Sequence, residues 1–140
     1  MTVVLDTNTL VQMFGQTSPF APLKRALLAG RLVLAVSTPI LLEYEEVVCR
    51  CAGRERWEDV ARMFALIHLL HGTIREVMPS YHFRAITGDA DDDAFADCAI
   101  VANADFIITE DHHFAALHGS GYRPQAITPA EFIRRYLTGT

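Results

Sequence analysis

The chain of 140 residues holds one lysine, Lys24, one tryptophan and only three cysteines. So few thiols, odd in number, exclude a disulfide scaffold. Asp6 also interrupts the first apolar stretch before a leader could form, so the expectation is a reducing, cytoplasmic setting. Long hydrophobic runs are missing as well. None exceeds five residues, as at Leu32–Val36 and Met63–Ile67, where a spanning helix needs about 20, so no membrane partner is expected. There is no repeat and no low-complexity stretch, and 51% apolar against 21% charged residues does not fit a disordered chain. The length predicts a single domain over residues 1–140 with a real core.

A basic stripe is also absent. The net charge is −5, and residues 89–97 hold five of the 17 acids with no base among them. The remaining acids and bases balance, 12 against 12. Every base except Lys24 is arginine, a residue suited to bidentate phosphate contact. Scattered as they are, the arginines do not by themselves predict a nucleic-acid surface.

What the chain does have is alternation. Thr2–Leu5 is a β-branched run ending at Asp6, and Ser18-Pro19 reads as the capped start of a helix that stops at Gly30. Leu32–Val36 reads as a buried strand. Thr38-Pro39 repeats the cap-plus-proline start for a helix to about Cys51, and Arg54–His71 follows as an amphipathic helix. Its apolar face is read as Trp57, Val60, Ala61, Phe64, Ile67 and Leu70. Thr73–Met78 is a further strand, and Asp91 or Asp92 is placed to cap a helix carrying Phe95, Cys98, Ala99 and Ala102. Phe106–Thr109 and Tyr122–Ile127 complete the strands. Thr128-Pro129-Ala130-Glu131 is a capping box opening a last helix to about Leu137. Strands alternating with helices predict an α/β/α sandwich around a mainly parallel sheet.

Ligands of such sheets bind beyond the carboxyl ends of the strands, and acids fall there. Asp6 follows the first strand and Asp111 lies just past Phe106–Thr109. Asp93 begins a helix that packs on the sheet, and Glu43 lies about one turn into its helix, flanked by Leu41, Leu42 and Tyr44. Carboxylates gathered at one sheet edge repel unless a cation lies between them, and oxygen-only ligands select a hard ion such as Mg²⁺ or Mn²⁺. Taken singly, each acid has a plainer reading. Asp6-Thr7-Asn8 suits an Asx turn, Asp91–Asp93 suit a first helical turn, and Glu43 suits an arginine pair. Asp97 shares a helical face with Asp93 and reads as either a ligand or a solvated neighbour.

The ordered set of motifs carries a family resemblance. Val4-Leu5-Asp6-Thr7-Asn8 resembles the opening motif of PIN-domain nucleases, and Ser37 to Tyr44 their second motif, with Glu43 as its acid. Asp92 to Ala99 is similar to the third and Ala104 to Asp111 to the fourth. The nearest likeness is to the toxin components of prokaryotic toxin–antitoxin pairs. The resemblance implies a Mg²⁺- or Mn²⁺-dependent endoribonuclease. Asp6, Glu43, Asp93 and Asp111 would be its catalytic and metal-binding acids, with Asn8, Thr109 and Asp97 supporting them. It implies an RNA substrate, an antitoxin partner and a homodimer, the last also suggested by the apolar content of the helices from Pro39 to His71. Where many relatives carry a further acid, this chain has His113.

Rival readings are weaker. Asp6-Thr7-Asn8-Thr9 approaches the opening of phosphoaspartate phosphatases, but Asn8 stands where the acid–base aspartate belongs. A receiver domain needs a strand-end lysine, and Lys24 falls in a helix. A non-catalytic PIN-like module that binds RNA or protein stays open. Cys49 and Cys51 are two apart on a helix and cannot clamp one metal. Cys98 reads as core, His68 and His71 as exposed or capping, and His112 and His113 as loop histidines beside Asp111.

Overall fold

The β-branched run that opens the chain becomes the central strand of the sheet. In the computed structural model, which describes residues 1–15, 17–80, 83 and 90–138 (for 90–92 the backbone alone), β1 (Thr2–Leu5) lies between β2 (Val33–Val36) and β4 (Phe106–Ile108). Strand β3 (Ile74–Glu76) extends the sheet beyond β2, and β5 (Gln125–Ile127) extends it beyond β4. All four pairings are parallel, and Leu5 stands opposite Ile108. Val3, Val4, Leu5, Leu34, Ala35, Ile107 and Ile108 are fully buried, as continuous apolar strands covered on both faces require. The α/β/α sandwich read from the alternation is the fold, with its described strands wholly parallel.

The helices are α1 (Thr7–Met13), α2 (Ala21–Leu28), α3 (Thr38–Ala52), α4 (Arg54–His71), α5 (Ala90–Val101) and α6 (Pro129–Phe132). The last runs on as a π-turn over Ile133–Leu137, and a 3-10 turn spans His112–Leu117. Several starts differ from the sequence reading. The Thr7–Met13 helix was not anticipated; Asp6 caps it and so ends β1 and opens α1 in one residue. The next helix begins at Ala21, because the Ser18 hydroxyl accepts from the Phe20 amide (3.0 Å) and forms a turn ahead of the helix. Ser37, not Thr38, is the residue before α3. Helix α5 begins at Ala90, so Asp91 and Asp92 lie inside its first turn and do not precede it.

The apolar stripe of α4 is also narrower than expected. Val60, Met63, Phe64 and Ile67 are buried at i, i+3, i+4 and i+7, whereas Ala61 and Leu70 face outward. At the end of α4, the His71 ring lies 2.9 Å from the Leu28 carbonyl at the end of α2. Gly30 admits that ring: its φ is +72°, and a Cβ there would fall 2.5 Å from His71 Cγ. Among the described residues, no helix is long and apolar enough to cross a membrane.

Candidate active site

In the strand order β3-β2-β1-β4-β5 the connections leave β1 and β4 toward opposite edges. A crevice opens between the carboxyl ends of that pair, where parallel sheets bind ligands. Beyond Leu5 and Ile108 come Asp6 and Thr109, and the two are bonded. The Thr109 hydroxyl donates to Asp6 Oδ2, while Asp6 Oδ1 accepts from the Thr9 amide (2.9 Å) that begins α1. Thr109 Oγ1 in turn accepts from the Asp111 amide (2.9 Å), so one hydroxyl ties the first acid to the loop bearing the last. The Thr9 hydroxyl closes the junction by donating to the Ile108 carbonyl (3.1 Å).

Asp6 is only 7% exposed, and its two donors, the Thr9 amide and the Thr109 hydroxyl, are neutral. No basic side chain among the described residues pairs with it. A buried carboxylate is costly unless it is hydrogen-bonded or paired, and here hydrogen bonds alone meet that need. Asp6 and Asp111 share a cleft of about 360 Å³ with Asn8, Thr9, Gln12 and Glu110. Its lining holds three acids and no base. Asp111 Oδ1 accepts from the His113 amide (2.9 Å) and lies 2.9 Å from the His113 ring Nδ1, and the centroids of the His112 and His113 rings are 4.4 Å apart with the rings tilted by 38°.

Glu43 reaches the same junction from α3. The Thr7 hydroxyl donates to its carboxylate, and the half-buried side chain lines a second groove, of about 270 Å³, with Ile40, Glu46, Arg50, Ala94 and Phe95. The surroundings are less apolar than the flanking leucines suggested, since Leu42 is 61% exposed. Asp93 is half-buried in the first turn of α5, immediately before Ala94 in that groove. Asp97 is buried and accepts from the Phe83 amide (3.0 Å). It is not a solvated neighbour. The side chains of Asp91 and Asp92 lie outside the described residues. Asp6, Asp111 and Glu43 are thus linked through threonines and Asp93 flanks the second groove, yet no three His, Cys, Asp or Glu among the described residues stand close enough to enclose one ion.

Sequence reasoning missed Thr7, Thr9, Gln12 and Tyr44. The signal for the first three was the helical spacing behind Asp6, visible only once α1 is recognised. Tyr44 is fully buried, its ring 6.2 Å from those of Phe64 and Phe95 and its hydroxyl donating to the Leu5 carbonyl at 2.5 Å. Burial pushes its phenol well above the usual range, and the nearby Cys98, Asp6 and Glu43 add to the effect. Burial likewise pushes the Cys98 thiol up to about 12, against a hydrogen bond with Ser37; Cys98 is core, as read. Lys24 lies over the Phe14 ring in a groove with Leu28 and Arg56, so it supplies no strand-end cation to the rival readings.

Comparison with known proteins agrees with this architecture. Among solved structures, the fold is similar to a chain of VapBC2 from Rickettsia felis, solved bound to a DNA fragment from their promoter. The TM-score is 0.59 at 17% identity, over 91% of this chain and 99% of that one. No curated protein matches the chain. The family model of the PIN domain matches residues 2–113, a span running from β1 into the 3-10 turn and taking in Asp6, Glu43, Asp93 and Asp111. The chain belongs to the PIN domain family.

Proposed function

We propose that the protein is a divalent-metal-dependent ribonuclease, with Asp6, Glu43, Asp93 and Asp111 as its acids and Mg²⁺ or Mn²⁺ as its cofactor. The observation that carries this reading is Asp6: among the described residues, a buried carboxylate with neutral donors only, in a cleft lined by three acids and no base. A phosphodiester cannot approach that cleft against its charge unless a cation offsets it. Oxygen-only donors fit a hard ion. When bound, such an ion supplies Lewis acidity and offsets phosphoryl charge.

The chain's own residues do the positioning. Thr109 and the Thr9 amide fix the Asp6 carboxylate in direction, one donor on each oxygen. His113 holds Asp111 by one oxygen. Asn8 and Gln12, exposed on the cleft wall, offer amide donors to phosphate and ribose oxygens. Asp97 supports the frame of α5.

Family membership and the likeness to VapBC2 support a toxin of a toxin–antitoxin pair, whose partner would be an antitoxin protein. Leu66, Leu69 and Leu70, between 47% and 80% exposed on α4, support a homodimer. The test is cleavage of single-stranded RNA in Mg²⁺ or Mn²⁺, with chelator as the blank. Asp93→Asn is expected to abolish cleavage while the protein stays folded, and Asp59→Asn, an exposed acid paired with Arg62, to leave it unchanged. Cleavage undiminished by chelator removes the metal from the mechanism, and equal activity of Asp93→Asn and wild type removes Asp93 from the site.

A further inference from the structure

Asp6 is bracketed. On one side of it, the Leu5 carbonyl accepts the Tyr44 hydroxyl; on the other, the Thr7 hydroxyl donates to Glu43. Two consecutive residues of α3 thus reach the two residues that flank the first acid. The bonds run in opposite directions, one from α3 to the end of β1 and one from the start of α1 to α3. Neither is needed to form β1 or α3, because the Leu5 carbonyl lies at the last position of the strand and the Tyr44 ring is already packed between Phe64 and Phe95.

We propose that Tyr44 is a positioning residue which, with Thr7, forms a two-pin clamp fixing Asp6 relative to Glu43. The clamp's role in turnover rests on the nuclease reading above; its geometric role does not. Without the Tyr44 pin, the end of β1 is free to shift against α3 and Asp6 loses its fixed relation to Glu43. Groups that orient ligands through one intervening bond commonly matter about 10–100-fold in metal affinity or activity.

The clamp is tested with Tyr44→Phe, which keeps the ring contacts and removes one pin, and with Thr7→Val and Thr7→Ser. Amide exchange at Thr9, whose N–H is held by Asp6, reads the clamp without cation or RNA, using the Leu34 amide in β2 (bonded to the Thr73 carbonyl) as reference. Expected is a selective loss of Thr9 protection in Tyr44→Phe and Thr7→Val, with Mn²⁺ affinity and kcat each lower by about 10–100-fold. Thr7→Ser, which retains the hydroxyl, should behave as wild type. If Tyr44→Phe and Thr7→Val lower only Tm, with Thr9 exchange tracking Leu34 and Mn²⁺ affinity unchanged, the clamp is overturned. Wild type that binds no Mn²⁺ overturns the nuclease reading, and the exchange ratio still decides the clamp.

Discussion

Just before β4, Asp105 accepts from the Thr2 amide (2.9 Å) and from the Arg123 guanidinium (2.6 Å); at the far end of the same strand pair, Asp6 accepts from an amide and a hydroxyl. The Asp105 carboxylate is neutralised by the protein itself. Burial pushes its pKa up, but the Thr2 amide and Arg123 together hold it below the usual carboxylate range. Among the described residues, an arginine stands beside Asp105 and none pairs with Asp6. A carboxylate at the amino end is thereby structural. The one at the carboxyl end has neutral hydrogen-bond donors among the described residues, and under the proposed function it is left to a ligand from outside the chain.

The sharpest way to break that contrast is to neutralise each acid in turn. Asp6→Asn should drop RNA cleavage and Mn²⁺ binding to background while circular dichroism stays native, since asparagine also caps a helix. Asp105→Asn should leave cleavage intact and cost at most about 1 kcal/mol, the range of exposed ion pairs. The Asp105 contribution has a defined sign: its pKa is lowered on folding, so the stability is present above the ordinary carboxylate pKa and lost as pH falls through the folded value. Acid titration of Asp105→Asn against wild type measures it. Loss of cleavage in Asp105→Asn would erase the distinction between the two ends.

An intermediate effect is expected at Thr109→Val. The substitution leaves Asp6 Oδ2 and the Asp111 amide without their shared hydroxyl. Urea unfolding should show a loss of about 1–3 kcal/mol, the range for buried polar groups left unsatisfied. Cleavage should fall by about 10–100-fold, well short of the loss in Asp6→Asn. A Thr109→Val variant as active as wild type would show that Asp6 needs no such restraint.

The smallest effect is in the core behind the cleft. Cys98 is pushed up to about 12 from an ordinary 9.0, and a pKa raised on folding gives stability that is full below the unfolded value and lost as pH rises toward the folded one. Tm should therefore decline between pH 9 and about 12, and less steeply in Cys98→Ala. An equal slope in both would assign the decline to Tyr44 and the other groups.

Much of this was legible in the chain. The alternation of β-branched runs with capped helices is a local property, and it located the sheet, its parallel character and the strand ends where Asp6 and Asp111 stand. Helix α1 was hidden because Thr7-Asn8-Thr9 is poor in helix formers and because Asp6 ends one element and caps the next. The stripe on α4 was misread at Ala61 and Leu70 because sequence periodicity gives a face without its width. The roles of Thr7, Thr109 and Tyr44 were illegible for a different reason. Each depends on partners between 36 and 103 positions away, and no local pattern encodes which hydroxyl meets which oxygen.

The sheet order also bears on synthesis. The strand made first becomes the middle of the sheet, and one of its two neighbours is made about a hundred residues later. Asp6 meets Thr109, 103 positions on, only after all the intervening chain has been translated. Until then there is no crevice between β1 and β4 and no shared Asp6–Asp111 pocket. If the cleft is what harms RNA, the ribosome handles an inert chain for most of the time it takes to build it.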